Sequence, residues 1–514
     1  MTTPVSGCLI LNVIAKESRW LLAFAGLVLA WVPGVQGLAA EAQQQKSNIV
    51  YILADDLGYG DVRCLNPQRG KISTPQLDRL AAQGMIFTDA HSSSSVCTPT
   101  RYGILTGRYN WRSRLQSGVL YGYDAPLIPA GRLTVAEMLR QRGYATACIG
   151  KWHLGMGIQQ GQPMPLITEG PTTRGFDAFF GISASLDMPP YAFIENDRFT
   201  EPLTTEKKWG RKGPAAANFD ASDVLPVLTR RALEYIGDQA REGRPFFLYL
   251  PLTSPHTPIV PTKEWQGKSG LGDYGDFVME TDWAVGEVLA ALSRAGLFDN
   301  TLVIFTSDNG CSPHAKVGDL ERQGHFPSAQ SRGYKADIWD GGHRVPFLVR
   351  WPGRVKAGSR SDATLCLTDF MATAADILGV KLPADAAEDS FSLLPELFGT
   401  GHTQRDATVH HSINGNFAIR QGSWKLELCP GSGGWSAPKD GAARKQHLPE
   451  LQLYDLSNDL GEAKNVQADH PEQVARLTKL LDDIVANGRS TPGPKRENDA
   501  PIDILKKPRA APAK

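Results

Sequence analysis

Little in this sequence suits a nucleic-acid binder, a membrane span or a disulfide scaffold. Lys plus Arg number 54 and Asp plus Glu number 54, so no large positive field exists for nonspecific nucleic-acid binding. No stretch in the body of the chain approaches the roughly 20 apolar residues of a membrane span. The cysteines are few and scattered (Cys8, Cys64, Cys97, Cys148, Cys311, Cys366 and Cys429), and none form a C-x-x-C pair. No histidine pair at i, i+4 and no cysteine cluster offers a zinc site. No Asn begins an Asn-x-Ser/Thr acceptor, which suits a bacterial exported protein better than a eukaryotic secreted one. There is no internal repeat. What remains is an ordinary globular composition, with 41% hydrophobic and 21% charged residues.

The N-terminus carries an address. Lys16 and Arg19 precede the uncharged run Trp20 to Val32, and Ala40-Glu41-Ala42 follows as a cleavage pattern. The run is short for a span and reads as a signal peptide over 1–42. Export to the periplasm or the medium is expected, with no stable membrane span.

Apolar runs then alternate with helical patterns. Asn48 to Ala54, Ala145 to Ile149, Phe246 to Leu250, Leu302 to Thr306 and Val345 to Val349 read as buried strands. Gln76 to Gln83, Val135 to Arg142, Val224 to Gln239, Phe277 to Arg294 and Leu367 to Leu378 read as helices between them. The alternation predicts an α/β domain over 43–401, a large and mostly parallel sheet flanked by helices. From 402 to 488 the texture changes. Ala418 to Leu428 and Leu451 to Leu456 read as strands of a small antiparallel sheet, and Pro471 to Val485 as one amphipathic helix. Residues 489–514, rich in Pro, Lys and Ala, are expected to be a disordered tail.

Ligands of an open parallel sheet bind beyond the carboxyl ends of its strands. Here those ends carry Asp55-Asp56, Lys151-Trp152-His153, Ser254-Pro255-His256 and Asp308-Asn309-Gly310. A single acid after a strand is usually a turn or cap residue, but four such ends together point to a site. Asp55, Asp56, Asp308 and Asn309 are all oxygen donors, and hard oxygen ligands select Ca²⁺ or Mg²⁺.

Cys97-Thr98-Pro99-Thr100-Arg101 leads into Tyr102-Gly103-Ile104-Leu105-Thr106-Gly107-Arg108. Pro99 suits the first turn of a helix, which puts Cys97 at a helix N-terminus that favours an anion. Cys97 alone reads either as a buried small hydrophobe or as a thiolate helped by Arg101. The span from Cys97 to Arg101 is too short for a phosphate-wrapping cysteine loop. Gly150-Lys151 is not a P-loop, since Trp152 stands where Ser or Thr is needed.

The pattern C-x-P-[ST]-R-x-x-x-L-[TL]-G-R resembles the signature of the type I, formylglycine-dependent sulfatases, and closest to the arylsulfatase A and N-acetylgalactosamine-6-sulfatase branch. A second stretch, Gly143 to His153 (GYATACIGKWH), is similar to another pattern of that family, and the likeness runs from about Asn48 to Val485. It implies an alkaline-phosphatase-like fold and a calcium ion held by Asp55, Asp56, Asp308 and Asn309. It implies that Cys97 is converted to formylglycine, which also reaches the metal, by a formylglycine-generating enzyme during maturation. Arg101 matches the residue that steadies the formylglycine hydrate. Lys151, His153, His256 and Lys335 match sulfate-binding cations and proton donors. Ser185 matches a substrate-binding position less well, because Ala184 precedes it where many relatives have Tyr.

These residue types suit the chemistry on their own account. A sulfate ester needs its oxygen charge balanced, an in-line nucleophile and a proton for the leaving oxygen. A sulfated carbohydrate is the expected substrate and an aryl sulfate the alternative. Trp152, Tyr191, Trp339 and Trp435 are the aromatics available to stack on a sugar, and His314 and His343 are expected to line the pocket. Two further readings compete: a catalytically dead, calcium-dependent carbohydrate-binding protein, and a phosphoesterase of the same superfamily. The first should have lost Cys97, Arg101 or a metal ligand. The second should carry Ser or Thr at the nucleophile and zinc-type ligands.

Overall fold

The computed structural model describes residues 46–506; the expected signal peptide and the last residues of the chain lie outside them. Ten strands make the main sheet. They are β1 (Asn48–Ala54), β2 (Met85–Phe87), β3 (Ala145–Lys151), β4 (Ala178–Ile182), β5 (Ile194–Glu195), β6 (Arg198–Phe199), β7 (Phe246–Pro251), β8 (Thr301–Ser307), β9 (Phe347–Arg350) and β10 (Ser359–Ser361). Their spatial order is β10-β2-β9-β8-β1-β7-β3-β4-β5-β6. The centre, from β8 to β4, is parallel, and antiparallel pairs lie toward both margins. Every residue of β1, β7 and β8 is buried, as the unbroken apolar runs predict for strands covered on both faces. Covering helices include α1 (Pro75–Ala82), α2 (Cys97–Thr106), α3 (Val135–Gln141), α4 (Val224–Glu242), α5 (Gly272–Arg294) and α6 (Phe370–Ile377). All ten residues of α2 are buried, so this helix runs inside the molecule. Gly107 ends it in the left-handed conformation, with φ 63°.

The C-terminal sheet holds β11 (Ala407–His411), β12 (Phe417–Gln421), β13 (Trp424–Glu427) and β14 (Gln452–Asp455), in that order and antiparallel. Helix α7 (Pro471–Asn487) lays Leu477, Leu481 and Ile484 on it. This small core is shared with Tyr109 and Trp111, which follow α2. The tyrosine hydroxyl also accepts the Val409 N–H at 3.1 Å.

Three buried histidines join this sheet to the main domain. His343 and His410 stack at 3.8 Å, and His91 Nδ1 meets His343 Nδ1 at 3.0 Å. His343 Nε2 faces the Ile338 carbonyl at 3.2 Å, and His410 bonds the Ser92 carbonyl and the Thr408 hydroxyl. His343 is therefore part of this joint and does not line a substrate pocket. Burial holds all three rings below the usual histidine range, with nearby Asp89 and Asp340 opposing and Arg344 and Lys425 reinforcing it. The unfolded chain then binds more protons than the folded one, so stability is present above the ordinary histidine pKa of about 6.5 and lost as pH falls below it. The urea midpoint should drop between about pH 7.5 and about pH 5.5. An unchanged midpoint would mean that the rings already carry protons in the folded protein.

The expected disordered tail is corrected over its described part. Arg489 to Lys506 has no helix or strand, as its proline content predicts, yet it is tied down. The Arg108 guanidinium reaches the Asp499 carboxylate at 2.9 Å, and Arg112, paired with Asp389 at 2.8 Å, also donates to Asn498 at 3.0 Å. Buried arginines supply bonds that composition alone does not reveal.

Candidate active site

The expected side chains meet at the carboxyl edge of the sheet. β1 delivers Asp55 and Asp56, β8 delivers Asp308 and Asn309, β3 ends on Lys151, and the loop after β7 brings His256. The N-terminus of α2 brings Cys97 and Arg101, and the segment before the Gly341-Gly342 pair brings Lys335. All of these are buried. Carboxylate oxygens of Asp55, Asp56 and Asp308 lie within 4.8 Å of one another, and so do donor atoms of Asp55, Cys97 and His256.

Cations thread this acid cluster. Lys151 Nζ donates to Asp55 at 2.7 Å and Lys335 Nζ to Asp56 at 2.6 Å. Arg101 donates twice to Asp308 Oδ2, at 2.7 and 3.0 Å, and once to the Lys151 carbonyl at 3.0 Å. Asn309 Nδ2 donates to Asp56 at 2.8 Å. Asp55 Oδ1 and Asn309 Oδ1 remain buried without a hydrogen-bond partner. The two unpartnered acceptors, one on the Asp55 carboxylate and one on the Asn309 amide, belong to an all-oxygen donor set of the kind that suits a hard divalent cation.

The electrostatics carry the same strain. Burial works to raise Asp55, but Lys151, then His256 and Arg101, hold it well below the usual carboxylate range. Burial and then the charge of Asp55 push Asp308 up to about 7, against the pull of Arg101. Burial likewise raises the Cys97 thiol, despite Lys151 and Lys335 nearby. Arg101 points at Asp308 rather than serving the sulfur. The guanidinium on which the thiolate reading leaned is thus committed to Asp308.

The histidines differ in attachment. His256 Nδ1 lies 2.5 Å from the Thr257 carbonyl, so Nε2 is the nitrogen turned to the cluster, 3.7 Å from Asp56. Burial, then Lys335, lowers its pKa. His153 Nε2 bonds the Leu120 carbonyl at 2.7 Å, its Nδ1 has no partner, and burial with Lys151 and Arg101 holds it well below the ordinary range. Ser185 is buried near the Ser183 carbonyl that accepts the His153 N–H, but its own hydroxyl is unpartnered. No bond joins it to the acid cluster among the described residues.

Backbone strain marks the same places. Asp56 and His153 are non-glycine residues in the left-handed region, with φ 67° and 58°. A side chain at Gly310 would meet the Gly341 carbonyl oxygen at 1.9 Å, so glycine lets the Asp308-Asn309 turn seat against the glycine pair. Sequence reading missed a support beneath Asp56. Asp61 accepts from Tyr274 at 2.5 Å and from the Gly58 N–H at 2.7 Å, and His325 Nε2 meets it at 2.7 Å. Asp61 follows Asp56 closely, but nothing in the pattern ties it to His325. Of the four candidate stacking aromatics, Trp152, Trp339 and Tyr191 are buried in the core and unavailable, whereas Trp435 is 37% exposed.

Residues 47–380 match the family model described as Sulfatase. The chain belongs to the sulfatase family. It is 37% identical to the N-acetylgalactosamine-6-O-sulfatase of Bacteroides thetaiotaomicron, covering 86% of this chain and 93% of that protein. It is 35% identical to human arylsulfatase A, covering 91% and 90% respectively. A solved structure from work on glycosaminoglycan metabolism by B. thetaiotaomicron superposes with a TM-score of 0.77 at 34% identity, over 86% of this chain and 99% of that one. The chain is thus a sulfatase, an enzyme of sulfate ester hydrolysis, on the mostly parallel sulfatase fold. The family match sets aside the phosphoesterase reading. No helix among the described residues is long and apolar enough to cross a membrane.

Proposed function

We propose that this sulfatase hydrolyses sulfate esters of sugars, with Cys97 converted to formylglycine and Ca²⁺ bound by Asp55, Asp56, Asp308 and Asn309. The observation that carries the metal reading is the pair of orphaned oxygens on Asp55 and Asn309 within an all-oxygen donor set. The ion, when bound, supplies positive charge that balances these acids and polarises a sulfate oxygen. A formylglycine at position 97 would supply an oxygen nucleophile and a route for releasing sulfate that a plain Ser or Cys lacks.

The chain's own groups do the rest. Lys151 and Lys335 bring two ammonium charges to the place where sulfate oxygens gain charge. Arg101 is a positioning residue that fixes Asp308 and the end of β3. The Thr257 carbonyl accepts from His256 Nδ1–H, so Nε2 gives a proton to the leaving oxygen only from the imidazolium form, which Asp56 and Asp55 favour against burial and Lys335. His153, with a free Nδ1, serves the elimination of sulfate. Amino-sugar sulfates head the expected substrates, because the Bacteroides relative is named for N-acetylgalactosamine 6-sulfate. Activity against a panel of sulfated monosaccharides beside an aryl sulfate tests the reading, and turnover of the aryl sulfate alone would refute the sugar assignment. Export and maturation by a formylglycine-generating enzyme belong to the same proposal.

Leaving-group dependence separates His256 from Lys335. An activated aryl sulfate needs no proton on departure, whereas a sugar sulfate does. His256→Ala should therefore slow the sugar sulfate by about 10²-fold or more and the aryl sulfate far less. Equal slowing would make His256 a binding residue and leave the acid role to Lys335.

A further inference from the structure

We propose that Trp435, with His314 set edge-on against it, forms an aromatic wall whose indole face stacks on the pyranose ring of the substrate, an inference that rests on the sugar-sulfatase reading. Trp435 is an exposed indole in a protein whose other candidate stacking aromatics are buried. Its mount is rigid. The backbone N–H groups of Trp435 and Ser436 donate to Asp337 Oδ1 at 2.9 and 3.0 Å. The Ile338 N–H donates to the Ser432 carbonyl at 2.7 Å. A side chain at Gly434 would meet the Ala336 carbonyl oxygen at 2.2 Å, so the loop from the C-terminal sheet lies flat on the backbone that follows Lys335.

The second half of the wall comes from the other flank of the acid cluster. His314 sits on the turn after Asn309, its Nδ1 3.2 Å from the Ser312 hydroxyl. Its ring meets the indole edge-on, with centroids 5.8 Å apart and planes at 87°. Beside them opens a depression of about 680 Å³ whose lining includes Pro313, Lys316, Tyr334, Trp435 and Ser436. Of its lining residues, Tyr334 immediately precedes Lys335 in the chain and Pro313 lies on the turn that follows Asn309. An aromatic face bordered by the Lys316 ammonium and the Asp319 and Glu321 carboxylates suits a ligand with an apolar C–H face and a rim of hydroxyls. A sugar ring has both, and a lipid chain or an apolar peptide has only the first. A rigid aromatic costs little conformational entropy on binding, so the contact favours affinity.

The experiment compares Trp435→Ala and Trp435→Tyr with the parent enzyme on the sulfated monosaccharide that the parent hydrolyses fastest. Trp435→Ala should raise KM about tenfold with kcat nearly unchanged, and Trp435→Tyr should restore most of the loss. Calorimetry in a Cys97→Ala background gives a readout that does not need turnover. There the alanine change should weaken saccharide binding by the same factor and leave inorganic sulfate binding alone. Sugar-sulfate turnover with KM and saccharide affinity unmoved by Trp435→Ala would overturn the wall and leave the sulfatase reading standing. Loss of saccharide binding in a protein that hydrolyses no sugar sulfate would support the wall and count against that reading. Failure of every saccharide in the panel to bind would overturn the wall.

Discussion

Cys97→Ala should abolish turnover, with a loss on the order of 10⁴-fold or more, because it removes the side chain from which the proposed nucleophile is made. Cys97→Ser should fail as well wherever the maturation machinery oxidises only cysteine. The protein should still fold, since Cys97 is a small side chain at the start of a helix. Mass spectrometry of the peptide spanning Cys97 to Arg101 supplies the second measurement. In fully active enzyme that peptide should have lost the mass of the thiol and carry an aldehyde that reacts with hydrazides. An intact thiol in fully active enzyme would refute the assignment.

Asp308→Ala should cost both the metal and the activity. Asp308 is doubly bonded by Arg101 and lies against Asp55, so its removal leaves a guanidinium buried without its partner and takes one ligand from the set. Activity should fall by about 10³-fold or more. The melting temperature supplies a measurement independent of turnover. Ca²⁺ that binds only the folded protein stabilises it by about 2.7 kcal/mol at a hundred times its dissociation constant. Addition of Ca²⁺ to chelator-stripped parent protein should therefore raise the melting point by several degrees, and do nothing for Asp308→Ala. A parent enzyme that keeps its full rate after chelation, with neither Ca²⁺ nor Mg²⁺ by elemental analysis, would sink the assignment.

The strands that end in the site were legible because buried parallel strands read as unbroken apolar runs. An acid or lysine at the end of such a run then stands out, as after Ala54 and at Lys151. The Cys97 to Arg108 stretch was legible because its chemistry is contiguous. Lys335 could be placed only through the resemblance, as its local pattern is short, whereas His256 was also marked by its place after a buried strand. Other features have no local trace. The left-handed turns at Asp56 and His153 are imposed by packing, since neither residue type demands them. The bond from Asp61 to His325 links loops far apart in sequence. Strand β11 escaped notice because its last residues, His410 and His411, read as polar although both are buried. The tail looked disordered because the arginines that hold it, Arg108 and Arg112, lie nearly 400 positions earlier.

The burial of α2 sets a clock. Cys97 is 2% exposed, and every residue after it in the helix is enclosed. On the proposed maturation, an enzyme could not reach this side chain once the chain has folded, so the oxidation would have to come while the segment is still an extended peptide. The short motif from Cys97 to Arg101 suits that moment, because it can be read without any tertiary structure. Folding and the proposed modification would then race, and a molecule that folded first would be locked out. The specific activity of a preparation would record how long its chains stayed open, and two batches with identical folds and identical melting curves could differ severalfold in rate.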